Sequence, residues 1–257
     1  MDDKIISDIL KTDYLNTQLY KYKNSFSDYR NVIGELGEKN IHHILKNLIG
    51  EKEEQEVKIG NYYADCFKEN IIFEIQNRQF NKIREKLKLF IKDYKTVVIY
   101  PIIYKRELVW MNNNGEVSLG KKTTNNSKFN SAFPELYKIK DLLEEKNIYI
   151  SLILINVCEY KKINSFSNSF SKEEKKNAVK IDKDLLEIVD CFNISSVNDY
   201  YMFVEKLKDT SFTTKDYKIV NKTKTKEASI ALNVLNRLGV VERVGKKDRM
   251  YLYKVKK

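Results

Sequence analysis

The stretch Ala64-Asp65-Cys66-Phe67-Lys68-Glu69-Asn70-Ile71-Ile72-Phe73-Glu74-Ile75-Gln76 decides how this chain is read. Two arms of extended character flank a polar turn at Lys68-Glu69-Asn70. Side chains along a strand alternate faces, so Ile71, Phe73 and Ile75 point into a core while Glu74 and Gln76 share the other face. With the turn centred on Glu69-Asn70, Asp65 and Glu74 stand equally far from it and lie opposite one another across the hairpin. Directly opposed Cβ atoms are ~4.5–5.5 Å apart, and two like charges at that distance need a compensating cation. A hard ion such as Mg²⁺ takes one or two carboxylates, waters and a phosphate oxygen, which this pair offers. Glu74 is also embedded in Ile-Ile-Phe-Glu-Ile-Gln, an otherwise apolar run where a merely solvated acid is out of place.

Outward from the hairpin, the spacing of Leu36, Ile41, Ile44, Leu45, Leu48 and Ile49 predicts a helix that Gly50 stops, followed by a strand over Glu56–Ala64. On the other side an amphipathic helix is expected over Phe80–Tyr94, then a buried strand Thr96–Tyr100 closed by Pro101. Glu107–Met111 and Glu116–Leu119 flank the turn signal Asn112-Asn113-Asn114-Gly115 as a hairpin. Lys121–Ser131 reads as a polar loop, Pro134–Lys146 as a helix and Ile148–Val157 as a second buried strand. Lys161–Lys176 has the composition of a mobile loop, and Asp182–Val189 is expected to be a short helix. Asp3–Tyr29 reads as one or two helices packed on the body.

The chain has 257 residues, 42% hydrophobic, with 8 Gly and 2 Pro, enough for a real core and too few breakers for a linker or a disordered polymer. No apolar run approaches the ~18 residues of a membrane span, and Met1-Asp2-Asp3-Lys4 is unlike a signal peptide, so a cytoplasmic chain without membrane contact is expected. Cys66, Cys158 and Cys191 form no CxxC and read as buried free thiols. His42 and His43 are neighbours whose side chains diverge by ~100° on a helix, so they cannot chelate one ion together; His-rich zinc hydrolases are thereby excluded and a Ser-His-Asp hydrolase is disfavoured.

The hairpin and its flanks resemble a known family. "GELGEKNIHHILKNLIGEKEEQEVKIGNYYADCFKENIIFEIQNRQFNKIREKLKLFI" (Gly34–Ile91) is similar to the PD-(D/E)XK, restriction-endonuclease-like nuclease superfamily. The resemblance implies phosphodiester hydrolysis dependent on Mg²⁺ or Mn²⁺. It carries metal binding onto Asp65, Glu74 and Glu38, with Glu35 a rival for the helix position. Gln76 falls where lysine is usual, as in Glu-x-Gln members, and would hold the attacking water by hydrogen bonds without supplying a cation. Lys58 or Arg78 is a candidate for the missing positive charge. Ala64, not proline, precedes Asp65.

Charge separates the C-terminus from the rest. The chain carries +11 formally, and residues 211–257 hold 13 Lys and Arg against 4 Asp and Glu, which leaves the body nearly neutral. A compact basic module on a neutral body is the footprint of docking on a phosphate backbone. Ser196–Asp199 reads as a capping box opening a helix over Val197–Leu207. A second helix starts near Thr213 and a third spans Lys226–Leu238, stopped by Gly239. A basic hairpin follows, with strands Val240–Val244 and Arg249–Val255. "LNVLNRLGVVERVGKKDRMYLYKV" resembles the winged helix-turn-helix family, which implies that the third helix enters the major groove of DNA and the wing contacts backbone or minor groove. The DNA-binding candidates are Lys222, Lys224, Lys226, Ser229, Asn233 and Arg237 on the helix, and Arg243, Lys246, Lys247 and Arg249 on the wing. Tyr217, Tyr251 and Tyr253 read as core or support.

The expected fold class is α/β. A restriction-endonuclease-like mixed sheet flanked by helices, with an N-terminal helical extension, occupies residues 1–190, and a winged helix-turn-helix occupies 191–257. The leading functional expectation is a metal-dependent DNA endonuclease targeted by the basic module. The rivals are a non-catalytic DNA-binding regulator with an inactive nuclease-like body, and a subunit of a DNA-processing or defence assembly. A homodimer is left open.

Overall fold

The computed structural model describes residues 2–25, 40–167 and 169–256. Helices α1 (Asp2–Ile9), α2 (Thr12–Ser25) and α3 (Asn40–Ile49) precede an antiparallel meander of β1 (Gln55–Ile59), β2 (Tyr62–Lys68) and β3 (Ile71–Ile75). The first turn needs Gly60, at φ +59°. The second uses Glu69 and Asn70 at φ +51° and +61°, the left-handed pair of a two-residue hairpin turn. Helix α4 (Arg84–Asp93) then crosses over to β4 (Lys95–Met111), which runs parallel to β3. Two short strands, β5 (Val117–Leu119) and β6 (Thr123–Thr124), fold back on β4. After α5 (Phe133–Leu136), β7 (Ile148–Lys162) pairs parallel to β4; α6 (Lys172–Asn177) leads to β8 (Val179–Ile194), antiparallel to β7. The sheet order is β1-β2-β3-β4-β7-β8, a mixed α/β architecture.

Both faces of the sheet are covered, so its central strands are apolar on both sides. Tyr149, Ile153, Ile155 and Val157 of β7 pack with α1, α2 and α3 through Ile9, Leu15, Ile44 and Leu45. The alternate residues Ile150, Leu152 and Leu154 meet the other layer at Leu87, Phe129, Phe133 and Leu136.

Several expectations change in the structure. The Glu56–Ala64 strand is two strands broken at Gly60. Pro101 does not end β4, because β3 stops at Ile75 and its last link is Gln76 N–H to Ile99 O at 2.9 Å. The donor that Pro101 lacks falls on the side where no neighbour remains, so the proline is tolerated. The segment 182–189 is strand, not helix. Its buried residues Leu185 and Ile188 are spaced by three because the β7–β8 register shifts between Asn156 and Val157. That shift adds a residue to β8 and lengthens the alternation from two to three there. Phe80–Lys82 is a 3₁₀ turn ahead of α4, and the helix expected over 134–146 is α5 plus a 3₁₀ turn at Tyr137–Ile139. Within the expected loop 161–176, β7 continues to Lys162 and Ser171 caps α6. The helix pattern before Asn40 lies outside the described residues.

The C-terminal unit opens with 3₁₀ turns at Val197–Phe203 and Glu205–Leu207 in place of the expected α-helix, although the Ser196/Asp199 box is formed. Strand β9 (Phe212–Thr213), α7 (Thr214–Val220), α8 (Thr225–Arg237), β10 (Val241–Lys247) and β11 (Met250–Val255) follow, with sheet order β10-β11-β9. The unit shares its core with the body. Phe129, Phe133, Leu136 and Ile139 belong to the same buried cluster as Phe203, Tyr217, Leu232 and Leu235. Tyr217 Oη donates to Asn130 Oδ1 at 2.7 Å, and Ser127 Oγ to the Lys222 carbonyl at 3.0 Å. Strand β8 ends at Ile194, past the expected boundary at 190.

A shared core predicts joint unfolding. Phe133→Ala should cost about 3–5 kcal/mol and lower one common denaturation midpoint, followed by tryptophan fluorescence for the body and by hydrogen exchange in α8. Loss of protection in α8 at a midpoint different from that of the Trp110 signal would show that the two units unfold separately.

Candidate functional site

Strands β2 and β3 pair as Lys68↔Ile71, Phe67↔Ile72 and Cys66↔Phe73, and the next opposed pair is Asp65 and Glu74. There the side chains take over from the ladder. The Asp65 N–H donates to Glu74 Oε1 at 3.1 Å, and the Ile75 N–H donates to Asp65 Oδ2 at 2.8 Å. The face carrying Glu74 is not solvated, because α4 closes it: Ile72 packs with Ala64 and Phe90, and Glu74 is 2% exposed. Two side chains that sequence reasoning did not select complete the group. Lys86, in the first turn of α4, places Nζ 2.6 Å from Glu74 Oε2 and 5.6 Å from the Phe90 ring centroid. His42 of α3 places Nε2 3.1 Å from Asp65 Oδ2.

The other candidates lie apart. Gln76 follows β3, and its side-chain amide donates to the Arg78 carbonyl. Lys58 is exposed on β1. Arg78 lines a cleft of about 250 Å³ with Ile41, Asn77, Pro101, Lys180 and Lys183, at the point where β3 ends beside β4. The positive charge that touches Glu74 is Lys86. Glu38 and Glu35 lie outside the described residues.

Burial and the neighbouring Asp65 charge push the Glu74 carboxyl up to about 7, against the pull of Lys86. Asp65 moves the opposite way. Its burial alone would raise it, but the His42 hydrogen bond and charge, the Ile75 amide and Lys86 together hold it below the usual carboxylate range. One acid of the pair is thus kept ionised while its neighbour holds a proton more readily. No group of three or more His, Cys, Asp or Glu side chains is arranged around a common ion position among the described residues. The donor chemistry present, two facing carboxylates, still fits a hard divalent ion that keeps waters and takes a phosphate oxygen. Cys66, beside the pair in sequence, has its thiol pushed up to about 12 by burial and is chemically quiet.

On the C-terminal unit, Lys226, Ser229 and Arg237 line the exposed face of α8 with half-buried Asn233, opposite Ala228, Ala231, Leu232 and Leu235. Lys222 and Lys224 are exposed ahead of the helix, and Arg237 lies 3.9 Å from Glu144 of the body. Arg243, Lys246, Lys247 and Arg249 are all exposed on the wing. Tyr217 and Tyr253 are core, as expected, whereas Tyr251 is 44% exposed and serves as a platform. The Arg243 guanidinium sits 4.2 Å over its ring and Lys246 Nζ 5.6 Å from its centroid. A groove of about 530 Å³ between α7, α8 and the wing is lined by Lys215, Lys218, Ser229, Arg249 and Tyr251. Lys215 and Lys218 were missed; their spacing on α7, flanking buried Tyr217, was the available signal.

Residues 39–195 match a family model described as "Domain of unknown function (DUF8091)". The chain belongs to the DUF8091 family. No curated protein matches it, and no solved structure does. The DUF8091 match covers α3, the whole large sheet and the Asp65–Glu74 pair, and leaves α1, α2 and the C-terminal unit outside. No helix among the described residues is long and apolar enough to cross a membrane.

The raised Glu74 gives this DUF8091 member a defined pH signature. A carboxyl raised in the folded state contributes stability that is full below its ordinary value of 4.5 and is lost as pH rises through about 7. The lowered Asp65 acts in another window, withdrawing stability as pH falls below 3.8. Glu74→Gln should therefore flatten the stability profile between pH 4.5 and 7 by up to about 3 kcal/mol, measured by urea denaturation across that range. An unchanged slope would mean that Glu74 does not titrate there.

Proposed function

We propose that the chain is a metal-dependent nuclease acting on DNA, with Asp65 and Glu74 as its catalytic carboxylates. The observation that carries this is the buried, facing Asp65–Glu74 pair at the end of the β2–β3 ladder, a costly arrangement for two acids without chemistry to perform. The element order supports the resemblance to the restriction-endonuclease-like superfamily: helix α3, the antiparallel meander β1–β3 with Asp65 on its second strand and Glu74 on its third, then α4 and parallel β4. The order β9, α7, α8, β10, β11 likewise supports a winged helix whose exposed basic face meets phosphate.

Hydrolysis adds a water oxygen to phosphorus and breaks one P–O ester bond. A bound Mg²⁺ or Mn²⁺ would supply polarisation of a phosphate oxygen and a more acidic water. Asp65 and Glu74 would hold that ion, and the resemblance adds Glu38. His42 fixes the rotamer of Asp65, and Lys86 holds Glu74 while no metal is bound. Gln76 orients water only after its amide leaves the Arg78 carbonyl. The basic face of α8 and the wing supply affinity for the duplex.

A non-catalytic DNA-binding protein remains the second reading, favoured by one observation: His42, Lys86 and two backbone amides already satisfy the carboxylates without a metal. Incubation of the protein with supercoiled and branched DNA, with and without Mg²⁺ or Mn²⁺, separates the two. Asp65→Asn and Glu74→Gln should each abolish metal-dependent cleavage while leaving DNA affinity unchanged. Cleavage that survives both substitutions removes the site assignment, and binding without any cleavage by the parent protein favours the second reading.

The DNA-facing role of the wing has its own readout. Each Lys or Arg contact to a phosphate lowers log K by about 0.9 per unit of log salt. Replacing Lys246, Lys247 and Arg249 by Ala should reduce the salt slope of duplex binding by up to roughly three units. An unchanged slope and affinity would assign the wing to protein contacts instead.

A further inference from the structure

We propose that Lys86 is an internal counter-ion that occupies the cation position of the Asp65–Glu74 pair and must withdraw when a divalent metal binds. The proposal rests on the nuclease reading above and concerns what that site does when empty of metal. Lys86 Nζ is 2.6 Å from Glu74 Oε2, with the lysine side chain 16% and the glutamate side chain 3% exposed. The remaining bonds of the pair come from the Asp65 and Ile75 amides, which belong to the strand backbone, and from His42 on α3. Lys86 is the flexible partner, an ammonium on a four-carbon stem that lies 5.6 Å from the centroid of Phe90, one turn further along α4.

Charge then sets the competition. Two ionised carboxylates and one ammonium leave a single negative charge, and a divalent ion added beside them would make the group net positive in poorly hydrated surroundings. Ammonium and metal ion repel each other across a few ångströms in a medium less screening than water. The metal form is favoured only when Nζ swings outward. Lys86 thus stabilises the metal-free fold by preventing an unpaired buried carboxylate, and it weakens metal affinity by the same interaction.

The test is Mn²⁺ binding to the intact protein at pH 8, followed by calorimetry and by the electron paramagnetic resonance of free Mn²⁺, together with melting temperature with and without Mn²⁺. Lys86→Met should bind Mn²⁺ at least about tenfold more tightly than the parent, melt lower than the parent without metal, and recover on adding it. Lys86→Gln, which keeps a polar contact for Glu74, serves as the second variant where Lys86→Met does not fold without metal; it should show the same tightening. Lys86→Arg keeps a competing charge and should keep the parent affinity. Asp65→Asn should abolish binding in the parent and in the Lys86 variants. Equal or weaker Mn²⁺ binding by Lys86→Met and Lys86→Gln overturns the counter-ion role while leaving the metal site standing. Absence of Mn²⁺ binding in every form overturns the metal site itself, and the counter-ion role with it.

Discussion

Two carboxylates face each other at the end of a strand pair, almost out of water, and the surrounding structure compensates for that placement. Asp65 and Glu74 would repel if both were ionised and unpartnered. Each compensating group comes from a different element: Lys86 from α4, His42 from α3, and the Asp65 and Ile75 amides from β2 and β3. The two helices that cover the sheet therefore do more than bury apolar surface. Each delivers one cationic or hydrogen-bonding side chain to the same place from opposite layers.

The same economy governs the C-terminal unit. Its charge made it look like a separable module, but its core is continuous with that of the body through Phe129, Phe133 and Leu136. Hydrogen bonds from Ser127 and Tyr217 cross the junction as well. A basic face fixed to the sheet in this way would hold a bound backbone, if DNA is the partner as proposed, in a set orientation relative to the carboxylates, which a flexible tether would not.

Much of this was legible in the sequence, for a local reason. A two-residue turn at Glu69-Asn70 sets the register of its hairpin, so the opposition of Asp65 and Glu74 followed from counting outward. What was not legible depended on distant partners. Pro101 read as a strand end because nothing near it shows that β3 has already stopped. The segment 182–189 read as helix because a register shift against β7 spaces Leu185 and Ile188 by three. Lys86 flanks the Leu87–Phe90 stripe and looks like a solvated helix residue until α4 is laid on β3. The divergence of adjacent helix residues correctly separated His42 from His43, whose ring nitrogen instead meets Asn47. That same divergence is what lets His42 alone reach Asp65.

The pair is a structural device as well as the proposed chemical one, and this governs how substitutions in it are read. Asp65 Oδ2 accepts the Ile75 N–H at the point where ladder bonding between β2 and β3 gives way to side chains. Removing the carboxylate with alanine would orphan that part-buried amide, a loss of about 1–3 kcal/mol that has nothing to do with metal or phosphate. Asparagine keeps an acceptor at the same place and removes only the charge. Glutamine does the same at Glu74, whose Oε1 accepts the Asp65 N–H. Loss of function in the isosteric variants therefore reports on charge, whereas loss in the alanine variants mixes charge with the unravelling of the β2–β3 end, the part of the sheet that aims the site.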